Sequence, residues 1–286
     1  MKAYIKLARP HHWIKNLLVL LPLMCSGQFF QWERLGPGVW AFLSFSLLAS
    51  AIYCVNDIRD REKDRKNPSK CGRPVASGAV SVRNAWIFCG GLLALAVGCG
   101  FFAAGGRWLC WLWMGLYLLL NLGYSFGLKD LPLVDVAILA AGYLLRLLYG
   151  GNATGIALSH WLCLMIIAVS FYLGLGKRRG ELMAGGEGRK VLQYYSEKFL
   201  SYNMYMCVAL AVIFYALWAV DSTTVQRVGN ETLVWTVPLV LLICMRYSLD
   251  VEQGGDGDPV EILLHDRLLL GLGGLLGLIL FAILYI

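Results

Sequence analysis

Asn56 and Asp57, followed by Asp60 and Asp64 in the stretch NDIRDREKD, are the residues of this chain best placed to do chemistry. Steps of three, four and seven residues fall on one stripe of a helix, so the spacing predicts that Asp57, Asp60 and Asp64 project side by side. Three adjacent carboxylates repel one another and call for a counter-charge. Hard carboxylate oxygens suit Mg2+, which keeps several waters and is usually shared between one or two carboxylates and substrate phosphates. On that reading Asp57, Asp60 and Asp64 are both the metal ligands and the catalytic group of a diphosphate site. The other reading is a solvated connection in which Arg59, Arg61, Lys63, Arg65 and Lys66 neutralise the acids in surface ion pairs. Spacing alone leaves both open.

The elements that must position this group are membrane helices. The 286-residue chain is 58% hydrophobic and only 15% charged, with a mean hydropathy of +0.63, whereas soluble domains carry about a quarter charged residues. Apolar runs of about 17 to 25 residues predict nine spans: Ile14–Phe30, Gly36–Val55, Ala85–Ala104, Trp108–Leu128, Leu131–Gly150, His160–Gly176, Leu200–Val220, Thr232–Leu249 and Leu268–Ile286. The expected fold is therefore an all-α integral membrane protein. Residues 1–286 form a single domain, with connections at 56–84, 177–199 and 250–267. Lys2, Lys6 and Arg9 punctuate the first twelve residues at amphipathic spacing, Pro10 ends that run, and no small-residue cleavage site follows. Residues 1–12 are expected as an interfacial helix rather than a removable signal.

Nearly all of the 25 basic residues fall before the first span, at Lys15 and Lys129, and in the connections after spans two, six and eight. The opposite connections hold only Arg34, Arg107 and Arg227. This bias predicts a cytoplasmic N-terminus and a cytoplasmic acidic motif. The net charge of +7 then reflects topology and an inner face suited to phosphates and anionic lipid heads, not nucleic acid. The nine cysteines are scattered without metal-ligand spacing, as are the four histidines, which argues against disulfides and zinc.

Further polar residues are expected at the depth of the acidic motif. Asn121, Tyr124 and Ser125 make a polar face at the end of span four, close to Lys129, and Asp135 lies about one turn into span five. Arg146 is eleven residues further, on the same face and about 16 Å deeper. An ionisable residue there lines a polar cavity or pairs with another helix. Span six runs into Lys177, Arg178, Arg179 and Glu181, either a positive-inside anchor or a set of ligands; cations at a helix C-terminus also suit its dipole. After span eight, Arg246, Asp250, Glu252, Asp256, Asp258, Glu261, Asp266 and Arg267, with Gly254, Gly255 and Gly257, form an acid-rich loop. It is read as a second cation site, a cap over a cavity, or a solvated turn.

NDIRDREKD, followed by Gly72, Arg73, Pro74, Ser77 and Gly78, resembles the first aspartate-rich segment of the UbiA superfamily of membrane prenyltransferases. The group Tyr124, Ser125 and Lys129 is similar to that superfamily's pattern at the end of its fourth helix. The resemblance implies about nine transmembrane helices around a cytoplasm-facing polar cavity, and Mg2+ that activates a diphosphate leaving group. It is closest to the branch that transfers a 5-phosphoribosyl group from phosphoribosyl diphosphate to a polyprenyl phosphate, supplying arabinan precursors for bacterial cell walls. Residues carrying it include Arg9, Pro10, Trp13, Lys15 and Asn16 near the N-terminus, and Arg146, Gly150, Gly151, Thr154 and Gly155 in span five. It continues through Lys177, Arg178 and Glu181 to Arg246, Tyr247, Asp250, Pro259, Glu261, Asp266 and Arg267.

Superfamily members acting on aromatic acceptors carry a second aspartate-rich motif after span six, where this chain has Lys177, Arg178, Arg179 and Glu181. A basic cluster suits a donor with an additional phosphate. The resemblance thus implies substrate-binding roles for Lys15, Asn56, Arg73, Tyr124, Lys129, Asp135, Arg146, Lys177, Arg178 and Glu181. Lys129 and Arg73 are assigned to the diphosphate, Lys15 and Arg146 to the lipid phosphate, and Lys177 and Arg178 to the 5-phosphate. It also implies a multi-pass protein of the bacterial cytoplasmic membrane, with the bilayer and the two substrates as partners; assembly of identical copies is compatible with it. Prenylation of an aromatic or quinone precursor by a polyprenyl diphosphate is the alternative within the superfamily. A transporter or scaffold that only binds Mg2+ or lipid phosphate is the alternative outside it.

Overall fold

A computed structural model describes residues 1–68, 70–185, 190–253, 262 and 265–286. The described residues are helical, without strands. Asp256, Asp258 and Glu261 of the acid-rich loop and Pro259 of the family pattern lie outside them, as do the three glycines of that loop. In chain order the helices are α1 (Lys2–Ala8), a 3-10 helix over Pro10–Val19, α2 (Leu21–Cys25), α3 (Trp32–Arg59), α4 (Arg61–Lys66), α5 (Val82–Ala104) and α6 (Trp108–Ser125). They continue with α7 (Val134–Thr154), α8 (His160–Met183), α9 (Glu197–Val220), α10 (Ser222–Val228), α11 (Val237–Glu252) and α12 (Arg267–Tyr285). Local chemistry sets several starts: the side chains of Ser81, Ser159 and Ser196 accept the N–H of Asn84, Trp161 and Phe199. Such caps satisfy amide donors that a helix N-terminus leaves open.

Seven helical segments among the described residues are long and apolar enough to cross a bilayer, and the chain is a multi-pass membrane protein. They correspond to seven of the nine expected spans. Trp108–Ser125 is an 18-residue helix, but its three tryptophans, two tyrosines and Asn121 lower its hydropathy. The expected span Ile14–Phe30 is not one α-helix. It is the 3-10 helix Pro10–Val19, then Leu21–Cys25, then a turn at Gly27 with φ 70°.

The chain divides into two compact units, and α7 contributes to both. Unit 1 holds residues 1–24, 28–126 and 145–157. Its main pairing is α3 against α5, with the N-terminal segments laid on α3. One core gathers Phe45, Leu48, Ile52, Tyr117 and Tyr149. A second lies under α1, where Leu7 packs with Cys54, Val55, Ile58, Val75 and Val80. Unit 2 holds residues 25–27, 127–144 and 158–286. It is built on α8 against α9, with α11 and α12 added, around Val136, Tyr172, Leu200, Met204 and Tyr247.

Two glycines permit close approaches. A Cβ on Gly150 would overlap the carbonyl oxygen of Val19, so the 3-10 segment runs against bare α7 backbone in unit 1. In unit 2, a Cβ on Gly174 would come within 2.8 Å of the Val136 side chain. Gly150→Ala should therefore force main-chain movement and destabilise by about 1–3 kcal/mol. A lowered thermal midpoint in detergent would show it, and an unchanged midpoint would contradict the close approach.

Candidate active site

The acid end of α3 follows from helix length. At 28 residues α3 is about 42 Å long, more than the roughly 30 Å of a hydrocarbon core, so its last turn can carry charge at little cost. The helix breaks at Asp60, which is both the C-cap of α3 and the N-cap of α4. Asp57 and Asp64 still converge on one guanidinium: Arg73 Nη1 lies 2.7 Å from Asp64 Oδ2 and 3.6 Å from Asp57 Oδ1. Arg9 Nη2 donates to Asp57 Oδ1 at 2.5 Å. Asp57 is only 1% exposed, and its second oxygen, Oδ2, is buried with no hydrogen-bond partner among the described residues. Asp60 is half-buried at the junction. The expected stripe is thus bent, and among the described residues no three acidic, histidine or cysteine side chains converge into a ready-made metal cage.

Arg9 was expected only as an interfacial charge and as part of a family pattern, yet it holds this centre. It ends α1 in the left-handed region at φ 50° and ψ 56°, which costs a non-glycine residue about 1–2 kcal/mol. Neighbouring contacts offset that strain. The Ser50 hydroxyl donates to the Ala8 carbonyl at 2.7 Å, Trp13 Nε1 donates to Ser50 at 3.0 Å, and the Arg9 guanidinium lies 5.3 Å from the centre of the Tyr53 ring. On the following loop, Lys6 donates to the Gly72 carbonyl at 2.8 Å. Asn56 and the end of α6 also meet: the Ser125 hydroxyl bonds the side-chain oxygen of Asn56 and lies 2.7 Å from the Asn121 carbonyl. Tyr124, one residue before Ser125, is half-buried.

Deeper in unit 1, Arg146 is 6% exposed. Its Nε donates to Asn16 Oδ1 at 2.7 Å and its Nη2 to the Tyr117 hydroxyl at 2.9 Å. The guanidinium also packs on the faces of Phe45 and Tyr117. Asn16 is oriented in turn by donating to Ser46, and Lys15 is half-buried beside it. This arrangement compensates a buried cation with oriented dipoles and aromatic faces.

In unit 2 the basic cluster is divided. Arg178 is 0% exposed; its Nε donates to Asp135 Oδ2 at 2.7 Å and its Nη1 to Glu181. Asp135, also fully buried, accepts from the Tyr195 hydroxyl at 2.7 Å. That hydroxyl accepts the N–H of Leu133 at 2.6 Å, at a residue with φ 66°. Burial pushes the Tyr195 phenol up to about 12, so it stays protonated and able to donate. Arg179 donates to Ser201, to the Val251 carbonyl and to Glu197. Both arginines are therefore held inside unit 2, and a phosphate would have to displace Asp135 or Glu181 to reach Arg178. Lys177 and Lys129 are half-buried. Of the acids in the acid-rich loop, Asp250, Glu252 and Asp266 are described. Asp250 and Asp266 both pair with Arg246, at 3.4 and 2.5 Å, and Glu252 accepts from the Tyr205 hydroxyl at 2.7 Å. The Arg246 hydrogen bond holds Asp266 down to about 2, so it caps α12 as an anion, accepting the N–H groups of Leu268 and Leu269.

A scan against protein-family models matches residues 18–251 to the UbiA prenyltransferase family. The chain belongs to the UbiA prenyltransferase family. Among curated UbiA relatives, the decaprenyl-phosphate phosphoribosyltransferase of Corynebacterium glutamicum is 37% identical over 272 residues, covering 93% of this chain and 81% of the relative. The enzyme of the same name from Mycobacterium tuberculosis is 36% identical over 277 residues, covering 93% and 88%. A solved UbiA homolog from Archaeoglobus fulgidus, bound to GPP and Mg2+, superposes with a TM-score of 0.72 at 20% identity, covering 99% of this chain and 98% of that one. That likeness establishes the fold. With relatives named as transferases along nearly the whole chain, this UbiA protein is a membrane transferase.

Proposed function

We propose that the chain transfers the 5-phosphoribosyl group of phosphoribosyl diphosphate to a polyprenyl phosphate and releases diphosphate. The observation that carries this reading is the 37% identity to a phosphoribosyltransferase across 93% of the chain. The lack of aspartates at residues 177–181, where Lys177, Arg178, Arg179 and Glu181 stand, supports it, since the branch acting on aromatic acceptors carries its second aspartate-rich motif there.

Asp57 and Asp64 fit a divalent cation: one oxygen of Asp57 is buried without a partner, and both carboxylates share a single arginine. They are the residues that would hold Mg2+, with Asp60 beside them and substrate phosphates supplying the remaining oxygens. Bound there, Mg2+ would neutralise charge on the departing diphosphate. Arg73 is placed to exchange its carboxylate partners for diphosphate oxygens. The bond from ribose C1 to the diphosphate oxygen breaks as an oxygen of the lipid phosphate bonds to C1. Attack opposite the leaving group inverts that carbon and gives a beta-linked product from the alpha donor. The acceptor is already an anion, so no general base is needed. Asn56, fixed by Ser125, and Tyr124 line the end of α3 and α6 in unit 1, and Lys15 and Arg146 are assigned to the acceptor phosphate. In unit 2, Lys129 is assigned to diphosphate oxygens and Lys177 to the 5-phosphate. Arg178, Asp135 and Glu181 become positioning residues, because their charges are mutually satisfied in a buried network. The N-terminus and the acid cluster are placed on the cytoplasmic side, following the distribution of basic residues.

Purified protein given phosphoribosyl diphosphate, polyprenyl phosphate and Mg2+ should form lipid-linked ribose phosphate and diphosphate in equal amounts, and lose activity with a chelator. Activity only with a polyprenyl diphosphate and an aromatic acid would overturn the assignment in favour of prenylation.

A further inference from the structure

We infer that Arg9 is a positioning residue of the cation site, acting through Asp57. This rests on the proposed function in one respect, namely that the acid cluster holds a divalent cation. Asp57 has two oxygens in unlike surroundings. Oδ1 accepts from Arg9 at 2.5 Å and faces Arg73 at 3.6 Å, whereas Oδ2 is buried and, among the described residues, unpartnered. A carboxylate free to turn about its last torsion would exchange these oxygens. Arg9 removes that freedom by anchoring one of them, which leaves the other as the oxygen that would be available to a cation. Ligating carboxylates are commonly fixed by such outer hydrogen bonds, and losing one typically costs 10–100-fold in metal affinity or activity.

The anchor is itself held at several points. Leu7 is fully buried, the Ala8 carbonyl is tied to Ser50, and the guanidinium packs on Tyr53. The backbone of Arg9 takes a left-handed conformation that places its side chain over the end of α3 instead of continuing α1. A contact worth this strain has a consequence: the N-terminal helix becomes part of the site.

Arg9→Asn is the informative variant, because asparagine tolerates left-handed backbone while lacking the guanidinium. Arg9→Lys retains charge with a shorter reach. Mn2+ binding to the full-length protein in detergent, read by electron paramagnetic resonance without substrate, reports the site directly. Wild type should bind and Asp57→Asn should not. Arg9→Asn should bind about 10–100-fold more weakly and Arg9→Lys should fall between it and wild type, each measured well below the thermal midpoint of that variant. Equal binding by wild type and Arg9→Asn, with Asp57→Asn inactive in binding, would overturn the role of Arg9 alone. Tighter binding by Arg9→Asn would make Arg9 a competitor of the cation and also overturn it. Equal binding by wild type and Asp57→Asn would overturn the cation site itself.

Discussion

Asp57→Asn should lower the rate of diphosphate release at least about 100-fold, the scale expected when several kcal/mol of leaving-group stabilisation is lost. The substitution keeps the shape of the side chain, and its amide oxygen can still accept from Arg9, so the helix end should remain folded. What it removes is the negative charge at the buried, unpartnered oxygen. The same assay with Asp64→Asn should give a comparable loss, because Asp64 shares Arg73 with Asp57. Asp60→Asn should cost less, since Asp60 sits at the α3–α4 break and is more exposed than the buried Asp57 and Asp64. Initial rates at saturating Mg2+ and donor provide the comparison. Full activity in Asp57→Asn would remove the acid cluster from the chemistry.

The second large effect concerns stability. Arg178→Met should destabilise unit 2 by about 3–5 kcal/mol, because breaking a buried ion pair leaves its partner uncompensated. Asp135, 0% exposed, would keep only the Tyr195 hydroxyl of its two side-chain partners. In a chain of this length the thermal midpoint should fall by roughly 10 °C. Adding Asp135→Asn removes the stranded charge, so the double variant should recover much of the loss. Loss of midpoint in the double variant equal to the sum of the two singles would show that the residues do not act as a pair.

These two sites differ in how far the sequence discloses them. Asp57, Asp60 and Asp64 are three, four and seven residues apart, so their spacing alone points to one edge of a helix. Local spacing does not reveal the bend at Asp60, and it does not reveal that Arg9, 48 residues before Asp57, supplies the anchor. Arg178 reads as a ligand because Lys177, Arg178 and Arg179 look like one exposed run. In the fold, α8 turns Arg178 and Arg179 inward to partners as far as 72 residues away. Tyr195 carries no signal at all: two adjacent tyrosines in a connection, Tyr194 and Tyr195, show no periodicity that separates them, and the partner Asp135 is 60 residues earlier. Arg146 is legible as an ionisable group at depth, but Asn16 and Tyr117 as its partners are not. The first apolar run is misread for a different reason. A segment apolar on all sides shows no preference between helical periods, so composition predicts crossing without predicting how the backbone does it.

That backbone choice changes how distance is covered. A 3-10 helix rises about 2.0 Å per residue against 1.5 Å for an α-helix. The ten residues Pro10–Val19 therefore reach about 20 Å where an α-helix would reach about 15 Å. The tighter winding also makes a thinner rod, which can lie against the bare backbone at Gly150. Side-chain bulk at that position and the stretch of the segment are thus two sides of one dimension: a wider helix would need more residues and more room, and Gly150 marks where the room runs out.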